Sequence, residues 1–187
     1  MNILHSNESC EWYTPITIIS ATHQAFLGDP DLDPATSQEA NKLIQAKQIL
    51  TKKDQAHLTT TPWPKAKTIF LNPPSGRVGK DPLPRLFWDR MLLENFEAAI
   101  VVVYSLEQLQ NNQLILQHSS ALCVPAKRIH FLQPKDAQTQ GKVAKAPTHA
   151  SAIALVSKYK DVQHRFLQSF SVLGNTFVLV NYANTKG

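Results

Sequence analysis

The sequence predicts an α/β fold with a mainly parallel central sheet, an antiparallel strand at its C-terminal edge and helices packed against it. Three observations carry this prediction. Ala98 to Val103 is a near-continuous aliphatic run, the pattern of a strand buried on both faces. Stretches of strand character alternate with stretches of helical spacing along the chain, which favours strands laid side by side with helical crossovers. Several of the strand-like runs end in polar tips carrying proline. In such folds ligands sit at the carboxyl ends of the strands.

The elements follow in order. Ile16 to Phe26 mixes β-branched residues with helix formers and is expected to be a helix. In "FLGDPDLDPAT", Leu32 stands between acids and Pro34 closes the run, which predicts a short strand ending in a turn. Thr36 and Glu39 have capping-box spacing. They would open a helix from about Ser37 to Leu50, with Ala40, Leu43, Ala46 and Leu50 on one face. "TTTPWPKAK" reads as a loop and Lys67 to Leu71 as a strand. "GRVGKDPLP" is a basic Gly/Pro loop leading into the helical "RLFWDRMLLENF". After the aliphatic strand, Leu106 to Leu116 is expected to be helical, "RIHFL" a strand, and "QPKDAQTQGKVAKAPTHA" a loop. "SAIALVSKY" is a further strand, and "FLQSFSVLGNTFVLV" closes the chain with strand or mixed character. There is no internal repeat.

With 187 residues, 43% of them hydrophobic and 18% charged, the chain suits one globular domain with a sizeable core. Cys10 and Cys123 make no disulfide framework and have no companion ligands at metal-binding spacing, so no metal is expected. No signal-peptide pattern is visible, and the longest aliphatic run is too short to span a bilayer, which predicts a cytoplasmic protein with no membrane partner. The net charge of +5 is unevenly spread. Residues 1–50 hold six acids against Lys42 and Lys47, whereas residues 127–165 hold eight bases against Asp136 and Asp161. That asymmetry tilts the expected partner towards a polyanion.

The chemistry centres on "TIFLNPPSGR", residues 68–77. Proline fixes φ, removes a donor and keeps the preceding residue out of helix, so Asn72-Pro73-Pro74 is a stiff mount for one side-chain amide and its neighbouring carbonyls. Taken singly, such a tip is equally a strand terminator. Rigid carbonyl acceptors can also hold a flat exocyclic amine. They draw its nitrogen towards tetrahedral geometry and free a lone pair otherwise delocalised into the ring. The matching electrophile is a methyl sulfonium, S-adenosylmethionine (SAM). Its ribose hydroxyls and cationic centre suit a carboxylate at a neighbouring strand end, with Asp33 first and Asp31 second.

"EWYTP" (11–15), "DLDPATSQEAN" (31–41), "TKKDQAHL" (51–58), "FLNPPSG" (70–76) and "RIHFLQP…APTHASAIALV" (128–156) occur in this order. The chain thereby resembles, over nearly its whole length, the phage-type DNA adenine-N6 methyltransferases, the Dam family of phages and prophages. The resemblance implies a Rossmann-like SAM-dependent methyltransferase fold with helices on both faces, in a single domain over 1–187 without a separate target-recognition domain. It implies SAM as the methyl donor, with Trp12, Tyr13, Thr14 and Pro15 at its methionine end. Asp31, Asp33, Pro34, Ala35 and Asn41 would form the donor-binding strand end, and Asp54 would accept from the donor's adenine amino group. Asn72, Pro73, Pro74 and Ser75 would form the catalytic tip. The partner implied is double-stranded DNA with the target adenine flipped out. Read singly, Asp33 is equally a turn former and Asp54 a surface cap.

Ser75 departs from the family, which mostly carries an aromatic there to stack on the flipped base. Phe87 or Trp88 in "LFWDR" could substitute, or pack in the core. Arg77, Lys80 and Arg85, with Lys135, Lys142 and Lys145 in the later basic loop, are the candidates for phosphate contacts. Two rivals stand beside this reading. One is a SAM- or DNA-binding protein that has lost catalysis and acts by occupancy. The other is an amino-methyltransferase for a different planar amine, cytosine N4 or a glutamine side chain. The oligomeric state is left open between monomer and weak dimer.

Overall fold

The computed structural model describes residues 13–52, 61–132 and 149–180. In chain order the elements are α1 (Ile16–Phe26), β1 (Leu32–Thr36), α2 (Gln38–Ile44), β2 (Gln48–Thr51) and β3 (Thr68–Leu71). A small hairpin follows, β4 (Arg77–Val78) and β5 (Asp81–Pro82), then α3 (Leu83–Leu92), β6 (Ala98–Val103), α4 (Glu107–Asn111) and α5 (Gln113–His118). The rest comprises β7 (Ala121–Pro125), β8 (Ala152–Ser157), α6 (Lys160–Phe170) and β9 (Gly174–Val178).

Seven strands form one sheet in the order β2-β1-β3-β6-β8-β7-β9. β2, β1, β3 and β6 run parallel, β8 runs against both β6 and β7, and β9 runs against β7. The architecture is therefore α/β with a mixed sheet. An antiparallel C-terminal edge strand was expected, and β9 is one. The sequence did not reveal that β8 is also antiparallel and lies inside the sheet.

The aliphatic run of β6 explains the layers. Successive strand side chains point to opposite faces. Ala98, Ile100 and Val102 accordingly join one core with α1, α2 and α6, while Ala99, Val101 and Val103 join the other with α3 and α5. The first core contains the stacked rings of Phe166 and Phe170, with centroids 4.4 Å apart. The second contains Phe87, Trp88 and Met91 of α3, with Trp63 tilted against Phe87. Each fully buried side chain of this size contributes roughly 1.5–3 kcal/mol relative to exposure. Helices thus cover both faces of the sheet.

Four local expectations are corrected. The helix expected over 37–50 stops at Ile44, because the Asn41 side chain pairs with the backbone of Ala46. Its Oδ1 accepts the Ala46 N–H at 2.9 Å and its Nδ2 donates to the Ala46 carbonyl at 3.1 Å. Gln45 turns left-handed at φ 58°, and Gln48–Thr51 become β2. The N-cap is Ser37, whose Oγ accepts from Ala40 N, while Glu39 pairs with Lys42 and forms no capping box with Thr36. The expected helix over 106–116 is two short helices broken at Asn112. "RIHFL" is no strand; Ile129, Phe131 and Leu132 pack onto the first core, and Leu132 makes an isolated bridge to Tyr13. The strand is instead "ALCVP", β7, with Cys123 buried and its thiol pushed up to about 12 by that burial.

Candidate functional site

β1 leads through α2 to β2 on one side, whereas β3 leads through α3 to β6 on the other. The chain diverges at the carboxyl ends of β1 and β3, and that is where open α/β sheets hold their ligands. The sequence puts its two proline-bearing tips at these two ends.

At β1 the tip is a bulge. Leu32 and Asp33 pair with Gln48 and Ile49, but the next partner of Thr51 is Thr36, so the register slips across Pro34 and Ala35. Pro34 has no N–H to give the ladder, which places the irregularity there. Asp33 pins the bulge: its Oδ1 accepts the Ala35 N–H at 3.0 Å, and the Thr36 side chain also bonds to it. Asp33 is only 1% exposed. Burial pushes its carboxyl up to about 7, against the lowering effect of those two hydrogen bonds. Asp33 therefore acts on the crevice through the Pro34-Ala35-Thr36 backbone that it shapes.

At β3 the tip is Asn72-Pro73-Pro74-Ser75, with Pro73 buried and Ser75 exposed. Asn72 Nδ2 donates to Thr14 Oγ1 at 3.1 Å, across 58 positions of sequence. Thr14 is buried and held on both sides. Before it, Tyr13 exchanges backbone hydrogen bonds with Leu132 at 2.8 and 2.9 Å. After it, the Pro15 carbonyl accepts from Ile18 N and Ile19 N to begin α1. The bond uses the amide nitrogen of Asn72 and leaves its carbonyl oxygen as the acceptor.

Two hollows lie along this end of the sheet. A notch of about 280 Å³ lies between Ser37 and Gln38 of the β1–α2 junction and Thr51 and Lys52 at the end of β2. A cleft of about 410 Å³ lies between Pro73, the β4–β5 hairpin and the ends of β6, α4 and α5. Arg77 and Arg85 line this cleft, and Lys80 sits in the exposed hairpin turn. Arg85 Nε lies 3.6 Å from Asp89, and Arg77 Nη1 donates weakly to the Lys80 carbonyl at 3.4 Å. Gly79, at φ 61°, makes the two-residue turn that brings Arg77 and Pro82 together.

Two expected site residues lie elsewhere. Asp31 precedes β1 and sits at the opposite, amino end of the sheet. Its Oδ2 accepts from Lys67 N and Thr68 N, and its Oδ1 pairs with Lys47 at 2.7 Å. Burial opposes its charge, but the Lys47 ammonium and the two N–H groups outweigh it and hold the carboxyl below its usual value. Asn41 has its whole amide engaged with Ala46. Trp12, Asp54, Lys135, Lys142 and Lys145 lie outside the described residues. Phe87 is core, while Trp88, 1% exposed, lines the cleft. Sequence reasoning overlooked Tyr104, Glu107, Asn112 and His149 of the cleft. Tyr104 was the readable one, as the first residue after the aliphatic run.

Among the described residues no group of three or more His, Cys, Asp or Glu side chains could hold a metal ion, and no helix is long and apolar enough to cross a membrane. No family model matches the chain, and no curated protein matches it.

Proposed function

We propose that the chain is a SAM-dependent DNA methyltransferase acting on the N6 amino group of adenine. The observation that carries this reading is the Asn72–Thr14 hydrogen bond at the divergence of β1 and β3. It joins the two motifs that the family resemblance assigns to amine activation and to donor binding, and with Nδ2 on Thr14 Oγ1 the Asn72 carbonyl oxygen is open to accept. The residues suit the donor in three respects. Thr14 lies beside the tip, the first turn of α1 offers N–H groups to a carboxylate, and the notch at Ser37 and Thr51 lies on the β1 side.

SAM supplies an electrophilic methyl group on a positively charged sulfur. The chain's own part is to hold the amine. The Asn72 carbonyl oxygen and the Pro73 carbonyl accept its two N–H bonds, and the prolines hold both acceptors without reorganisation. Methyl transfer would leave the donor's sulfur neutral and release one amine proton to solvent, while Asn72 and Pro73 hold the nitrogen in place. Among the described residues, the cations Arg77, Lys80 and Arg85 stand on the cleft side of the tip, where the phosphates of an entering strand would pass.

Labelled SAM and unmethylated DNA of mixed sequence test the reading, with nucleoside mass spectrometry as the readout. Wild type should yield N6-methyladenine. Asn72→Ala should lose about 10²–10³-fold in rate, the scale of removing one preorganised charge-stabilising group, while calorimetry finds SAM affinity retained. N4-methylcytosine would select the cytosine rival. SAM binding without any methylated base would select the occupancy protein, and absence of SAM binding would return Asn72-Pro73-Pro74 to a strand terminator.

A further inference from the structure

Ser75 offers a flipped base nothing to stack on, yet the cleft beside the tip is lined by Tyr104, and by Trp88 and Asn112, whose donors are buried and unpaired. We infer that this cleft receives the extruded acceptor base and that Tyr104 is the side chain that stacks on it, in the role that Ser75 leaves unfilled. The inference rests on the amino-methyltransferase reading and names how its acceptor is held.

Position comes first. β3 and β6 pair in parallel with Leu71 opposite Val101. The tip follows β3 directly and Tyr104 follows β6 directly, and Pro73 and Tyr104 line the same cleft. Tyr104 is half-buried, and its backbone is clamped from the facing segment. Its carbonyl accepts from Ser151 Oγ at 3.2 Å, and two residues on Leu106 N donates to the Ala150 carbonyl at 2.9 Å. A ring on a fixed mount loses little freedom when a base lies against it. Exposed Ser75 has no such support.

The cleft wall matches a base in polarity as well. Trp88 Nε1 and Asn112 Nδ2 are buried donors without a partner, and both residues line the cleft. An unpaired buried donor costs about 1–3 kcal/mol, and a side-chain rotation that turns either donor to a ligand acceptor would recover that cost. Nucleobase rings carry such acceptors on their edges, N1, N3 and N7 in a purine. Arg77 and Arg85 line the same cleft, where they can meet the phosphates flanking the base. The donor's own adenine has the same ring chemistry, but neither Thr14 nor any residue of the β1 bulge lines this cleft. Planar base and flanking anion together describe an extruded nucleotide.

The test compares wild type with Tyr104→Leu, Tyr104→Phe and the double variant Tyr104→Leu/Ser75→Tyr, measuring SAM affinity by calorimetry and kcat/KM for mixed-sequence DNA. Tyr104→Leu should keep SAM affinity and lose roughly tenfold to a hundredfold in kcat/KM, the range of one base–aromatic stack. Tyr104→Phe should stay near wild type, and Ser75→Tyr should recover a large part of the loss by restoring a ring from the other side. If Tyr104→Leu does not fold, Asn112→Ala carries the test, with a rise in KM for DNA expected at unchanged SAM affinity. Full kcat/KM in Tyr104→Leu, or in Asn112→Ala where that variant stands in, would overturn the inference while leaving the methyltransferase reading intact. Loss of SAM affinity in either variant would give the cleft to the donor's adenine and also overturn it. A wild type that binds SAM and methylates no base would overturn both readings together.

Discussion

Asp31 and Asp33 stand two positions apart and have opposite electrostatic fates. Asp31 faces Lys47 and two backbone N–H groups at the amino end of the sheet, which hold its carboxyl below the usual value. Asp33 is sealed under the β1 bulge with no cation beside it, and burial pushes its carboxyl up to about 7. The folded state therefore binds the Asp33 proton more tightly than the unfolded chain does. The resulting stabilisation is complete below about pH 3.8 and is lost as pH rises through about 7. Asp33→Asn keeps the shape and an acceptor for Ala35 N–H but cannot ionise. Between pH 5 and pH 8 its stability should gain on wild type by roughly 2–3 kcal/mol, the size that linkage gives for this shift. Urea unfolding at the two pH values measures the difference. Parallel pH profiles for the two proteins would mean that the Asp33 carboxyl is not perturbed.

Elements in this protein begin and end where side chains or missing donors interrupt the backbone ladder. The Asn41 amide closes α2 after Ile44 and lets the next residues extend into β2. Pro34 breaks the β1–β2 register. Trp63 N is held by Glu94 Oε1 at 2.7 Å, and Glu94 is itself paired with Arg90, so α3 fixes the loop that leads into β3. The C-terminal edge depends on one small residue. A Cβ at Gly174 would stand 2.2 Å from the Val124 carbonyl oxygen and 2.6 Å from Pro125 Cα, both rigid backbone of β7. Gly174→Ala should therefore force β9 away from β7 and cost about 1–3 kcal/mol, as overpacking does. A lower urea midpoint at unchanged slope would show it. An unchanged midpoint would show that β9 shifts freely.

At the scale of the whole molecule, the site end of the sheet has two sides with the Asn72 tip between them. On one side lie the β1 bulge and the notch near Thr51; on the other lies the cleft with Tyr104, Arg77 and Arg85. This arrangement suits a reaction with two substrates, a compact donor and a polyanionic acceptor that meet at one amide. Affinity for duplex DNA should fall steeply with salt. Replacing Arg77, Lys80 and Arg85 by Ala should reduce the log–log slope by about 2–3, at about 0.9 per phosphate contact removed. Fluorescence anisotropy across a salt series reads this, and an unchanged slope would assign the three cations to solvated surface.

The sequence by itself determined the α/β class, the bounds of α1, the β6 core strand and the polar tip after β3. These depend on local periodicity and on proline, whose effects act within a few residues. The family resemblance named both Thr14 and Asn72 as candidates, although it could not show the hydrogen bond between them. Tertiary structure decided the rest. The inward antiparallel β8, the strand at Ala121–Pro125 and the role of Leu132 follow from which strand finds which neighbour, and pairing partners far apart in sequence leave no local trace. The two aspartates look equivalent in "DLDP"; only the fold gives one a lysine and buries the other. Tyr104 and Asn112 reach the same cleft as Pro73 because β3 and β6 lie side by side, a neighbour relation fixed by packing.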